Sequence, residues 1–204
     1  MLTEIIIILD RSGSMASVAG DTIGGFNEFL SKQKTEQGEA RMTLVQFDNL
    51  YEKVYEALPL ADVKPLDRAT FVPRGSTALL DAIGTTILAQ GKRFDEASSK
   101  PGKVVVAILT DGEENSSREF TREKVFALIK EQRDKWAWDF YFLGANQDAI
   151  RAAGDIGILK AQAITYAANA KGVDAAFDVL NLATTSSREG STYAVSDYDR
   201  SRSI

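Results

Sequence analysis

Two carboxylates and three hydroxyls stand where the chain could do chemistry. Asp10, Ser12 and Ser14 alternate in Asp10-Arg11-Ser12-Gly13-Ser14. Thr77 lies far downstream in Gly75-Ser76-Thr77-Ala78-Leu79, and Asp111 in Leu109-Thr110-Asp111-Gly112. All are hard oxygen donors, which favour Mg²⁺, Mn²⁺ or Ca²⁺ over softer ions. Taking Mg²⁺, the two carboxylates balance its charge, and the hydroxyls add ligands without adding charge. An ion held this way stays electrophilic enough to accept one more anionic oxygen from outside. A set of four carboxylates would repel that oxygen. The charge count therefore favours a ligand-binding metal site over a calcium store.

The neighbouring residues say how these side chains are positioned. Ile5-Ile6-Ile7-Ile8-Leu9 is an unbroken apolar run, four of its residues β-branched, ending at Asp10. It reads as a strand buried on both faces. Val104-Val105-Val106-Ala107-Ile108-Leu109 reads the same way and ends just before Asp111. Oxygen side chains at the carboxyl ends of buried strands occupy the place where open α/β sheets build their sites.

Helical spacing follows Met15, with Ile23, Phe26, Phe29 and Leu30 on one face from about Val18 to Gln33. Ala40–Phe47 and Tyr51–Leu58 read as strands. Only Asp48, Asn49 and Leu50 separate them, a gap that forces an antiparallel hairpin at a sheet edge. Residues 59–76 hold three of the four prolines and read as a long loop leading into Thr77. Helices are expected over about Ala78–Phe94 and Thr121–Lys135. A strand is expected over Trp138–Leu143, closed by Gly144. A short helix from Gln147 to Ala153 would be capped by Gly154, a last edge strand would span Ala161–Tyr166, and a final helix would carry Val173, Phe177 and Leu180. The fold class is therefore α/β: a Rossmann-like, doubly wound, mostly parallel sheet with one antiparallel edge strand. Residues 1–183 form one domain in this reading, and 184–204 a flexible tail without apolar periodicity.

Composition removes several function classes. At 204 residues, 44% hydrophobic and 26% charged, the chain is ordinary globular material. A net charge of −5 and the lack of a basic stripe argue against nucleic-acid binding. With no cysteine and no histidine, zinc-thiolate sites, thiol nucleophiles and a Ser-His-Asp triad are excluded. No apolar run is long enough for a membrane span, and Met1-Leu2-Thr3-Glu4 lacks the layout of a secretory signal, so a cytoplasmic protein is expected.

The five residues, in this order, resemble the von Willebrand factor type A domain, also seen as the integrin inserted domain. That family carries a metal-ion-dependent adhesion site written Asp-x-Ser-x-Ser, then a distant Thr, then a distant Asp. Asp10-Arg11-Ser12-Gly13-Ser14, Thr77 and Asp111 match all three elements, and the resemblance spans roughly Met1 to Leu182. It implies about six helices around the sheet. It implies that Ser12 and Ser14 ligate the metal directly, that Asp10 and Asp111 act largely through water or by switching between direct and water-mediated contact, and that Thr77 joins directly when a partner's Asp or Glu fills the open position. A metal-dependent protein-interaction module is the function implied. Stand-alone domains of this kind resemble proteins of bacteria and their viruses.

Other readings stand beside this one. Any single Asp, Ser or Thr here could simply cap a helix. An aspartyl-phosphate enzyme would use Asp10 as nucleophile with Mg²⁺. Haloacid dehalogenase-like phosphatases, however, place a second Asp two residues later as the acid, and Ser12 stands there. A third possibility is a structural subunit that oligomerises through its edge strand. Arg11 and Arg74 flank the site, either attracting an acidic ligand or simply solvated. Glu113 and Glu114 would oppose an anion or hold waters, and Asp48 and Asp81 read as groups supporting the ligands from behind or as ordinary caps, caps being preferred. At least one of Trp136 and Trp138 belongs to the core. Tyr193, Tyr198, Arg200 and Arg202 sit in the tail as linker or as a short binding motif.

Overall fold

The structure, a computed structural model, describes residues 1–145 and 148–204. Its strands are β1 (Thr3–Asp10), β2 (Ala40–Phe47), β3 (Tyr51–Pro59), β4 (Lys103–Thr110), β5 (Asp139–Ala145) and β6 (Ala163–Tyr166). They form one six-stranded sheet in the order β3-β2-β1-β4-β5-β6. Only the β2–β3 pair is antiparallel, as the three-residue connection requires. β1 pairs in parallel with both β2 and β4, so the chain reverses its direction of progress across the sheet between β1 and β4.

The helices are α1 (Ala19–Thr35), α2 (Leu79–Glu96), α3 (Arg122–Trp136), α4 (Ala149–Asp155), α5 (Ala170–Arg188) and α6 (Asp197–Arg202). A turn of 3-10 helix, Gly13–Val18, leads into α1. The period of two along β1 separates two cores. Ile5, Ile7 and Leu9 pack with Phe26, Phe29 and Leu30 of α1 and Val173, Phe177 and Leu180 of α5. Ile6 and Ile8 pack with Ile83 and Ile87 of α2, Val125 and Ile129 of α3, and Ala149 and Ala153 of α4. Both faces of β1 are sealed from water, which explains the unbroken apolar run. α1 and α5 approach closely at Gly25, where an added Cβ would lie 2.3 Å from the Phe177 ring.

Three local expectations are corrected. Gly144 does not close β5; it pairs with Thr110 and Thr165, and the parallel ladder carries the strand on to Ala145. Gly154 lies inside α4 rather than capping it, and the left-handed residue is Gly157, at φ +87°. The expected start of that helix at Gln147 falls outside the described residues. Residues 184–204, expected as a flexible tail without apolar periodicity, hold the end of α5 and all of α6. Polar contacts rather than an apolar stripe fix this segment, so periodicity could not reveal it. Arg188 donates to the carbonyls of Gln33, Glu36 and Gly38 at the end of α1. Ser196 and Asp199 form a capping box at α6. The segment then lies along the open edge of β6. Val195 N–H donates to Ala161 O at 2.7 Å, Ser203 Oγ–H to Thr165 O at 2.7 Å, and Ala167 N–H to Ser203 O at 2.7 Å. Trp138 is buried against Phe94 and Phe140, while Trp136 is exposed. Among the described residues no helix is long and apolar enough to cross a membrane.

Candidate metal centre

Asp10 is the last residue of β1, and Asp111 directly follows β4, the strand beside it. Thr77 lies two residues before α2. Ser12 and Ser14 occupy the tight turn between β1 and α1. Segments far apart in sequence therefore meet on one rim of the sheet. Ser14 Oγ–H donates to Asp111 Oδ1 at 2.6 Å, and Ser12 Oγ lies 3.1 Å from Ser14 Oγ. Gly112 locates Thr77 relative to these groups. A Cβ added there would lie 3.1 Å from Thr77 Oγ1, 3.6 Å from Ser14 Oγ and 3.9 Å from Ser12 Oγ. The three hydroxyls thus all lie within 3.9 Å of one point beside Gly112. The structure brings all five expected residues together.

Asp10 is fully buried and held rigidly. Its Oδ1 accepts the Ser12 N–H at 2.6 Å, and its Oδ2 accepts the Thr110 hydroxyl at 2.6 Å. Burial pushes its carboxyl up to about 6, although the Thr110 and Ser12 hydrogen bonds favour the charged form. Burial also raises Asp111, partly offset by the Ser14 hydroxyl. Tyr166, buried at the end of β6, is raised first by burial and then by the negative charges of Asp111 and Asp10. The rim is thus a place where negative charge is poorly solvated.

That arrangement has a measurable cost. Asp10 ionises near 3.8 unfolded and near 6 folded. The folded state holds the proton more tightly, so this group's contribution is most favourable below about pH 4 and is lost as pH rises through 6. At neutral pH the loss is on the order of 2–3 kcal/mol. Asp10→Asn keeps an acceptor for Ser12 N–H, and the Thr110 hydroxyl can turn to Gly112 O, 3.0 Å away. In excess chelator, urea unfolding of this variant at about pH 7.5 should give a stability higher than wild type by that amount. The gain should narrow as the pH approaches 4. Equal stabilities at pH 7.5 would contradict the burial cost.

The donor set fits a hard divalent cation. Cis oxygens around Mg²⁺ with bonds of 2.0–2.1 Å are about 3 Å apart, close to the separation of the Ser12 and Ser14 hydroxyls. Among the described residues no three Asp, Glu, His or Cys side chains cluster as metal ligands, so the hydroxyls have to complete any set.

Several residues that build the rim escaped the sequence reading. Thr110 braces Asp10, and Gly112 provides the space. Asn115 holds Thr77 through its backbone: Thr77 N–H donates to Asn115 Oδ1 at 2.9 Å, and Asn115 N–H to Thr77 O at 3.1 Å. Glu114, which the sequence reading had opposing an anion or holding waters, accepts the N–H groups of Leu80, Ser116 and Ser117 and so fixes the loop after β4 to the start of α2. Asp48 and Asp81 are not helix caps. Asp81 accepts three consecutive backbone N–H groups, from Arg118, Glu119 and Phe120. Asp48 is buried and accepts from Arg11 Nε at 3.1 Å and Arg74 Nε at 2.9 Å. Arg11 is therefore a buried structural arginine, neither solvated nor directed at a ligand. Local spacing carries no trace of these long-range contacts. In the last segment, Tyr193, Arg200 and Arg202 make internal contacts with Asp199, Val195 O and Asp178, while Tyr198 is exposed.

No family model matches the sequence, and no curated protein matches it. Solved structures do resemble it in fold. The chain is 16% identical to proximal thread matrix protein 1 from the mussel byssus with a zinc-occupied MIDAS motif, at a TM-score of 0.61, covering 89% of this chain and 46% of that one. It is 11% identical to the vWF domain of the type V pili tip protein Mfa5 from Porphyromonas gingivalis, at a TM-score of 0.61, covering 88% and 94%. It is 16% identical to the pilus adhesin SpaC from Lactobacillus rhamnosus GG, at a TM-score of 0.66, covering 91% and 30%. The chain spans under half the length of the mussel protein and under a third of SpaC. At such identities the likeness is one of backbone architecture. The strand order, the lone antiparallel pair and these neighbours together give the chain the von Willebrand factor type A fold.

Proposed function

We propose that this chain is a divalent-metal-dependent protein-interaction module. In this reading Asp10, Ser12, Ser14, Thr77 and Asp111 hold Mg²⁺, with Mn²⁺ or Ca²⁺ as possible substitutes. The bound ion supplies one open position for an Asp or Glu carboxylate of a protein partner. The observation that carries the reading is the meeting of the Ser12, Ser14 and Thr77 hydroxyls around the space beside Gly112. The chain's own residues do the rest. Thr110 and the Ser12 N–H hold the Asp10 carboxylate in place, Ser14 orients Asp111, and Asn115 presents Thr77. A neighbour with a metal-filled site of the same type adds support.

The rival readings find less support. Both Asp10 oxygens are engaged and buried, which is poor geometry for a nucleophile. Edge pairing into oligomers is discouraged at both ends of the sheet. β3 carries Glu52, Lys53 and Glu56, and the segment after α5 lies along β6.

The test is capture of partners by the immobilised chain in Mg²⁺, in EDTA, and with Asp111→Ala. Capture should vanish in both controls, and one Asp→Ala or Glu→Ala change in the captured protein should abolish it. Capture that persists in excess EDTA would overturn the proposal.

A further inference from the structure

Thr77 sits at the end of a stretch, residues 60–78, whose only regular structure is the 3-10 turn Leu60–Asp62. A loop that long has many conformations, and closing it costs entropy. Something must therefore hold Thr77 against the serine turn. We propose that Asp48, acting through Arg11 and Arg74, is a positioning residue for Thr77. The proposal rests on the metal-binding reading above.

Asp48 lies in none of the three metal-motif segments, yet it bonds residues in the first and on either side of Thr77 in the second. Its Oδ2 accepts from Arg11 Nε at 3.1 Å, in the Asp10–Ser14 turn, and from Arg74 Nε at 2.9 Å, three residues before Thr77. Its Oδ1 accepts Leu50 N–H at 2.7 Å, which fixes the carboxylate to the β2–β3 hairpin. Its own carbonyl accepts Ala78 N–H at 2.9 Å, one residue after Thr77. Arg11 also reaches Glu52 at 2.5 Å, so two arginines and two carboxylates balance in charge. The two loops are then joined directly: Arg74 N–H donates to Arg11 O at 2.7 Å and Gly13 N–H to Gly75 O at 3.1 Å. Gly75 is in the left-handed region at φ +68°, and a Cβ there would lie 2.3 Å from Asn49 Oδ1. The loop is thus pressed onto the hairpin tip. Asp48 holds the loop before and after Thr77, at Arg74 and Ala78, and Asn115 holds Thr77 itself.

Arg74 provides the clean test, because its side chain is 53% exposed and Asp48 keeps Arg11 without it. The test measures Mn²⁺ affinity of the full chain by loss of the free-ion electron paramagnetic resonance signal. It also measures amide exchange at Gly13 and Ala78. Arg74→Ala should weaken Mn²⁺ binding at least about tenfold, the range typical of groups that orient metal ligands. Exchange at both amides should rise while the melting temperature stays near wild type. Arg74→Lys, which keeps a cation near Asp48, should recover most of both. Wild-type Mn²⁺ affinity together with wild-type exchange in Arg74→Ala would overturn the proposal. So would a loss that tracks melting temperature and is not rescued by lysine. A wild-type chain that binds no Mn²⁺ would overturn the metal reading, and exchange at Gly13 and Ala78 would still decide whether Asp48 and Arg74 hold the loop.

Discussion

Asp111→Ala should remove all Mg²⁺-dependent stabilisation of this chain. An ion that binds only the folded state stabilises by RT ln(1 + [L]/Kd), about 2.7 kcal/mol at a hundred times its Kd. For a chain of this size, each kcal/mol raises Tm by roughly 2–4 °C. Wild type should therefore melt roughly 5–10 °C higher in saturating Mg²⁺ than in EDTA. The variant retains a single carboxylate, Asp10, to face a dication, and that carboxylate is already reluctant to ionise. In EDTA the variant should match wild type closely. The half-buried Asp111 side chain is seen to accept one side-chain hydrogen bond, from Ser14, so little packing is lost. A variant whose Tm still rises with Mg²⁺ as wild type does would remove Asp111 from the site.

Asp48→Ala should destabilise the fold by about 3–5 kcal/mol, the usual cost of breaking a buried ion pair by removing one partner. The Asp48 and Arg11 side chains are 1% and 6% exposed. Without the carboxylate, the Arg11 guanidinium keeps only the half-exposed Glu52 and a long contact of 3.5 Å to Gln46. Burial pushes the Asp48 carboxyl up, but the Arg74 hydrogen bond, the Leu50 N–H and the Arg11 charge outweigh it and leave the carboxyl below its usual range. Such a group stabilises the fold above the ordinary carboxylate pKa, and that contribution is lost as pH falls through the folded value. Wild type should thus lose its advantage over the variant in strong acid. Arg74→Ala should cost far less, since its pair with Asp48 is exposed to solvent on the arginine side. Urea unfolding of both variants at neutral pH checks the contrast. Equal losses would contradict the contrast between a buried Arg11 left without its carboxylate and an exposed Arg74.

The sheet was legible because apolar runs such as Ile5–Leu9 have one explanation in a chain of this kind: a strand covered on both sides. The meeting of the five oxygen side chains on one rim was legible from their order and their placement at strand ends. Their supports were not. Asp48 and Asp81 read in sequence either as groups behind the ligands or as caps, because, the Leu50 N–H on Asp48 apart, the arginines and amides that bind them lie 26 to 39 residues away. Asn115 follows Asp111 without any pattern, and its role exists only once Thr77 is folded against it. Residues 184–204 misled for a different reason. Ser196, Asp199, Arg200 and Ser203 fasten α6 by hydrogen bonds to backbone groups and to one another, which no hydrophobic period records.

Titration of the full chain with Mn²⁺, followed by the free-ion electron paramagnetic resonance signal, tests the central claim most directly. Wild type should remove one equivalent of the ion from solution, Mg²⁺ should return it, and Asp111→Ala should remove none. A free-ion signal undiminished by the wild-type chain, or diminished equally by Asp111→Ala, would contradict a metal centre built from Asp10, Ser12, Ser14, Thr77 and Asp111.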